Sequence, residues 1–124
     1  MNEDFVTYEL AVKLKEKGFD YPCIGHYVNN KLYIAHYVNA FHSDKDESVD
    51  APTISQVLKW LREVKKIHII VEISDSGWYY TLYPNIRWEN GKLKSDKYIM
   101  SFKNKDSYEQ AAVAGIEYVL DNLI

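Results

Sequence analysis

The sequence predicts an α+β fold, an antiparallel sheet of about five strands with three helices packed mainly on one face, and three observations carry that prediction. Within Ala51 to Ser74 the apolar period changes from 3.6 to 2 at Ile67, so a helix is followed at once by a strand. Asn29-Asn30 and Asn90-Gly91 are pairs that accept the positive φ angles of tight hairpin turns. The segments then succeed one another as helix, hairpin, helix, hairpin, short strands and helix, an order that suits helices laid on an antiparallel sheet.

The first helix is expected over Phe5 to Lys17, with Thr7 as its cap and Val6, Leu10, Ala11 and Leu14 on one side. Gly18 ends it by supplying a left-handed residue, and Phe19 then folds back towards Leu14. Tyr21 to Val38 reads as a hairpin closed on Asn29-Asn30. Pairing Val28 with Lys31 places Cys23, Gly25, Tyr27, Leu32, Ile34 and His36 on one face. Ile24, His26, Val28, Tyr33 and Ala35 fall on the other. Asn39 to Asp50 has no period and is rich in Ser, Asp and Lys, which predicts a long loop.

The central helix starts from a capping box, Thr53 with Gln56, and presents Ile54, Val57, Leu58, Leu61 and Val64 on one side. Burial of that stripe is worth about 10 kcal/mol as an upper bound, comparable to the net stability of a domain, so the stripe is core. Ile67, Ile69, Val71 and Ile73 alternate with His68, Ile70, Glu72 and Ser74 as a strand, and Ser74-Asp75-Ser76-Gly77 supplies the turn. A two- or four-residue loop pairs Ile73 with Trp78, Val71 with Tyr80 and Ile69 with Leu82, apolar against apolar. A three-residue loop breaks that match. Ile86 to Trp88 and Lys92 to Leu93 flank Asn90-Gly91, and Tyr98 to Phe102 forms a final strand. Asp106, with Glu109 three residues on, caps a last helix whose buried stripe is Tyr108, Ala112, Gly115, Ile116, Val119 and Leu123.

A chain of 124 residues fits one domain, 1–124, with a core that needs neither disulfide nor metal. The 47% hydrophobic and 27% charged composition is globular, and the lone cysteine excludes an internal disulfide. An acidic start, MNEDF, and the lack of any run of membrane-spanning length lead to the expectation of a cytoplasmic protein without a membrane partner. The formal net charge of -3 gives no general attraction to a polyanion.

Asp44, Asp46, Ser48 and Asp50 alternate like the opening ligands of a calcium loop. Val49 stands where that loop needs glycine and Ser55 where it needs a bidentate Glu, so a solvated loop is expected. Cys23 and His26 are the residue types of a nucleophile and its base, but three residues apart on a strand they point to opposite faces. His26, His36, His42 and His68 lack the close spacings of zinc ligands. No catalytic group, metal or cofactor is therefore expected. Lys59, Trp60, Arg62, Lys65 and Lys66 form a basic cluster around an aromatic ring, the composition of a nucleic-acid-binding helix face. Glu63 interrupts it, and helix C-termini gather basic residues to complement their dipole, so nucleic-acid contact stays a third reading.

The strongest signal is the second face of the central hairpin, His68, Ile70, Glu72, Tyr79, Thr81 and Tyr83, which Tyr33 and Trp88 extend. The 15% aromatic content, with 11 Tyr, gives this face its character. Tyrosine offers large contact area at little rotamer entropy, so Tyr33, His68, Ile70, Tyr79, Tyr83 and Trp88 are the candidate binding residues. Either a partner or the loop at 39–50 covers them.

The stretch FVTYELAVKLKEKGFDYPC together with APTISQVLKWLREVKKIHIIVEI resembles a group of small proteins encoded in Bacteroidetes phages and integrated mobile elements. The shared features are a helix ending in Gly-Phe-Asp, then Pro-Cys, and an Ala-Pro-Thr helix with a Lys-Trp-Leu-Arg-Glu core. The resemblance implies a context, a bacterial cytosol and a mobile element, and assigns no residue a catalytic role. A small non-enzymatic interaction module is thus expected, bound to another protein or to itself through the aromatic face. A small-ligand or enzyme pocket built from Tyr33, His68, Tyr79 and Tyr83 is the alternative.

Overall fold

Thr7 begins the first helix as its chemistry requires: its hydroxyl accepts the Leu10 N–H at 3.3 Å, which satisfies a donor with no partner inside the helix. Helix α1 spans Tyr8–Glu16 in a computed structural model of the protein that describes residues 4–34, 48–101 and 103–124. It starts three residues later than Phe5 because Phe5 instead bridges Thr53, and the Val6 N–H donates to Pro52 O at 3.0 Å. At its other end the Gly18 N–H donates to Lys15 O and the Phe19 N–H to Leu14 O. With φ at +90° on Gly18, this is a Schellman cap. Leu10, Ala11 and Leu14 are buried as the spacing predicts.

The described chain divides into two units, residues 1–56 and 57–124. In the first, β1 (Gly25–Val28) and β2 (Lys31–Ile34) pair in the expected register, Val28 opposite Lys31, across a turn with Asn29 and Asn30 at φ 52° and 68°. The other edge of β1 is taken by β3 (Ser48–Ala51), within the stretch read as loop. Ser48-Val49-Asp50-Ala51 alternates in burial, with Val49 and Ala51 inward, and its composition hid that period. Helix α1 packs against β3, and the Tyr27 hydroxyl reaches across the same face to donate to Val6 O at 2.7 Å. Gly25 is glycine because a Cβ there would lie 2.7 Å from both Ala51 O and the Phe5 ring.

Helix α2 (Ile54–Glu63) opens on the predicted capping box. The Gln56 N–H donates to Thr53 Oγ1 at 3.2 Å, and the Thr53 N–H to Gln56 Oε1 at 2.9 Å. Ile54, Val57 and Leu61 are buried, whereas Val64 lies past the helix end and is half exposed. In the second unit β4 (His68–Ser74) and β5 (Gly77–Tyr83) pair as expected, with Ile73 opposite Trp78, Val71 opposite Tyr80 and Ile69 opposite Leu82 across a two-residue turn. β8 (Ile99–Met100) adds to β5, while β6 (Arg87–Glu89) and β7 (Lys92–Lys94) form a hairpin of their own on Asn90-Gly91.

Among the described residues the strands therefore make antiparallel sheets of three, three and two, not one sheet of five. Each hairpin edge offers the same backbone donors and acceptors, and local pattern does not say which edges meet. Helix α3 (Tyr108–Asn122) packs on β4 and β5. Its cap is Ser107, not Asp106: the Gln110 N–H donates to Ser107 Oγ at 3.1 Å, and Gln110 Oε1 accepts the Asp106 N–H. Of the expected stripe, Ala112, Gly115, Ile116 and Val119 are buried, joined by Ala111 and Leu120, while Tyr108 in the first turn lies at the surface and Leu123 past the helix end is half-buried. Gly115 lets α3 approach the sheet closely, since a Cβ would meet Ile69 Cγ2 and Tyr80 Cγ at 3.2 Å.

Candidate interaction face

Pairing across β4, β5 and β8 sorts their side chains into two sets. Ile69, Val71, Tyr80, Leu82 and Ile99 share the face towards α3. His68, Ile70, Glu72, Tyr79, Thr81, Tyr83 and Met100 share the other. The predicted aromatic face thus exists as one surface of one sheet. Tyr83 forms its aromatic centre, 6.4 Å from the His68 ring and 6.1 Å from the Tyr98 ring between centroids. Ile70, Tyr79, Tyr83 and His68 are half-buried, Tyr98 and Met100 are exposed, and the small Thr81 is buried at 3%. Lys97, Tyr98, Ile99 and Met100 line an open hollow of about 610 Å³. Burial, followed by the nearby Arg62 charge, lowers the His68 pKa below its ordinary value, which favours a neutral imidazole on this face.

Not every predicted residue joins this surface. Tyr33 lies on β2 opposite His26, in the other three-stranded sheet, and is exposed. Trp88 lies on the β6–β7 hairpin directly opposite Leu93, and at 74% and 62% exposure these two form a separate apolar spot. The flanking residues of that hairpin hold its charges: Arg87 bonds Glu89 at 3.0 Å and Asp96 at 3.1 Å, and Lys94 lies 3.6 Å from Glu89. The sequence reading missed Tyr98 and Met100 because no tight turn sets the register of β8 on β5. Leu93 was legible, since the two-residue Asn90-Gly91 turn fixes it opposite Trp88.

The other candidates resolve by burial. Trp60 is 1% exposed, so its ring is not presented for stacking on a base, and Lys65 Nζ lies 5.4 Å from its centroid. Lys59, Arg62 and Lys66 are exposed on α2 and just beyond it. Cys23 is fully buried and its thiol donates to Tyr21 O at 3.2 Å. Burial, with a smaller contribution from the Asp50 charge, pushes the thiol pKa up to about 12, the reverse of what a nucleophile needs. His26, also fully buried, places Nδ1 3.1 Å from Asp50 Oδ1 on β3. Asp50 is therefore committed to a cross-strand contact, while Asp44, Asp46, His36 and His42 lie outside the described residues.

No family model, curated protein or solved structure matches this chain. Among the described residues no group of three or more His, Cys, Asp or Glu is placed to hold a metal ion, and no helix is long and apolar enough to cross a membrane.

Proposed function

We propose that the chain is a protein-interaction module whose contact surface is the aromatic face of the β4–β5–β8 sheet. One observation carries the reading: the face turned away from α3 collects His68, Ile70, Tyr79, Tyr83, Tyr98 and Met100, and its tyrosines and methionine remain partly or largely open to solvent. Such side chains give contact area at little entropic cost. Part of the stretch expected as a covering loop, Ser48 to Asp50, is instead a strand paired with β1, and residues 39–47 of that stretch lie outside the described residues. The resemblance to Bacteroidetes mobile-element proteins sets a bacterial cytosol as the place to look for a partner.

The test is affinity capture of the tagged protein from a bacterial lysate, with and without nuclease. A stoichiometric protein that survives nuclease and is lost in a Tyr79→Ser, Tyr83→Ser variant supports the reading. Retention that the variant leaves unchanged refutes it, and retention that nuclease abolishes moves the function to Lys59, Arg62, Lys65 and Lys66. The hollow beside Tyr98 and Met100 favours a second reading, a small apolar ligand. In that case the purified protein carries a bound organic molecule visible by native mass spectrometry, and Met100→Lys removes it.

A further inference from the structure

The outer edge of β4 has no role in the interaction face. Trp78 exchanges backbone hydrogen bonds with Lys105 at 2.9 and 2.7 Å, and Tyr80 bonds Ser101 through both its N–H and its carbonyl. These residues of β5 thus bond away from β4. Gly77, Tyr79, Thr81 and Tyr83 bond towards it, to Ser74, Glu72, Ile70 and His68. The N–H and carbonyl groups of Ile69, Val71 and Ile73 consequently point to the free side of β4, which among the described residues pairs with β5 alone. Edge strands of this kind are ordinarily blunted by proline, a bulge or several charges. β4 has no proline, its register with β5 runs unbroken from His68 to Ser74, and Ile73 is 68% exposed.

We propose that this edge pairs with the same edge of a second copy, antiparallel about a two-fold axis at Ile70. The chemistry of β4 selects both the occupant and the register. With the axis at Ile70, Ile69 of one copy lies opposite Val71 of the other, twice, and all of these groups point outward to bond. On the aromatic face Ile70 meets Ile70, and His68 meets Glu72 twice, at the positions where antiparallel side chains approach most closely. An axis at Val71 sets Glu72 against Ile70, and an axis at Glu72 sets the two carboxylates against each other. The pairing joins two three-stranded sheets into six strands and makes their aromatic faces continuous. It goes beyond the proposed function, because the contact is the strand edge and not the face.

Sedimentation velocity on the full chain over a wide micromolar range tests it. Wild type is expected to reach a dimer. Val71→Pro removes an N–H that points off the sheet and breaks no bond to β5, and although it also trims a half-buried side chain on the α3 face it should give a monomer with an unchanged far-UV spectrum. Glu72→Lys removes the carboxylate that the neutral His68 imidazole of the second copy meets and should also lose the dimer, and His68→Glu combined with Glu72→Lys should restore it by setting a carboxylate against each ammonium, a result that does not depend on how well the proline variant folds. A wild-type monomer throughout the range overturns the proposal. So does a dimer that survives Glu72→Lys; if that dimer is lost in Tyr79→Ser, Tyr83→Ser, the contact is the aromatic face.

Discussion

Replacing Trp60 by alanine separates a core role from a surface role for the one aromatic ring in the basic cluster. The side chain is 1% exposed, and a buried tryptophan removes up to about 250 Å² from water, roughly 6 kcal/mol at 25 cal/mol per Å². Alanine retains a part of that burial and the neighbours relax into a part of the cavity, so the expected loss is about 3–5 kcal/mol. With domain stabilities of about 5–15 kcal/mol, the variant should fold but melt roughly 10–20 °C lower. Urea unfolding followed by far-UV circular dichroism is the assay, because the substitution deletes a fluorophore. Trp88→Ala is the companion: at 74% exposure it should cost less than about 0.5 kcal/mol. Acrylamide should quench the emission assigned to Trp88 and spare that of Trp60. A Trp60→Ala loss below about 1 kcal/mol, or equal losses at the two sites, would refute the reasoning from burial.

Three further outcomes are expected. The Cys23 thiol, with an ordinary pKa of 9.0 raised to about 12 in the folded chain, keeps its proton where the unfolded chain releases it. Stability should be flat below pH 9 on this account and fall between pH 9 and 12 by up to about 4 kcal/mol. Urea midpoints across that range should show a shallower slope in Cys23→Ala; an identical slope counts against it. Gly25→Ala forces a Cβ to within 2.7 Å of Ala51 O and the Phe5 ring and should destabilise by about 1–3 kcal/mol in the same assay, whereas a neutral effect would mean the strand pair yields freely. His68, lowered first by burial and then by Arg62, should titrate below 6.5 by NMR. Its contribution to stability is then present above 6.5 and lost as the pH falls, and Arg62→Gln should move the titration only part of the way back; a midpoint at or above 6.5 contradicts the assignment.

Several elements were legible because the interactions that define them close within a few residues. Thr53 and Gln56 complete a capping box inside one helical turn, Gly18 and Phe19 bond back to the turn before them, and Asn29-Asn30 and Asn90-Gly91 adopt the positive φ angles their side chains tolerate. The β4–β5 register was legible for a similar reason, since a short turn and strict alternation leave one pairing that sets Ile73 against Trp78. The aromatic face followed directly from that register.

The remaining features depend on encounters between distant segments. Asp50 meets His26 across two strands far apart in sequence, and the Ser, Asp and Lys around it concealed the short alternation of β3. Trp60 and Val64 lie four residues apart and so on nearly the same side of the segment, yet one is buried and the other half exposed, because Val64 falls past the end of α2, and the period does not state where the surroundings stop covering the stripe. Local hydrogen bonds and alternation set where helices, turns and paired strands form. The division into three sheets and the addition of Tyr98 and Met100 to the aromatic face were settled by packing summed over the folded chain, because every free strand edge offers the same backbone groups and only side-chain fit ranks one pairing above another.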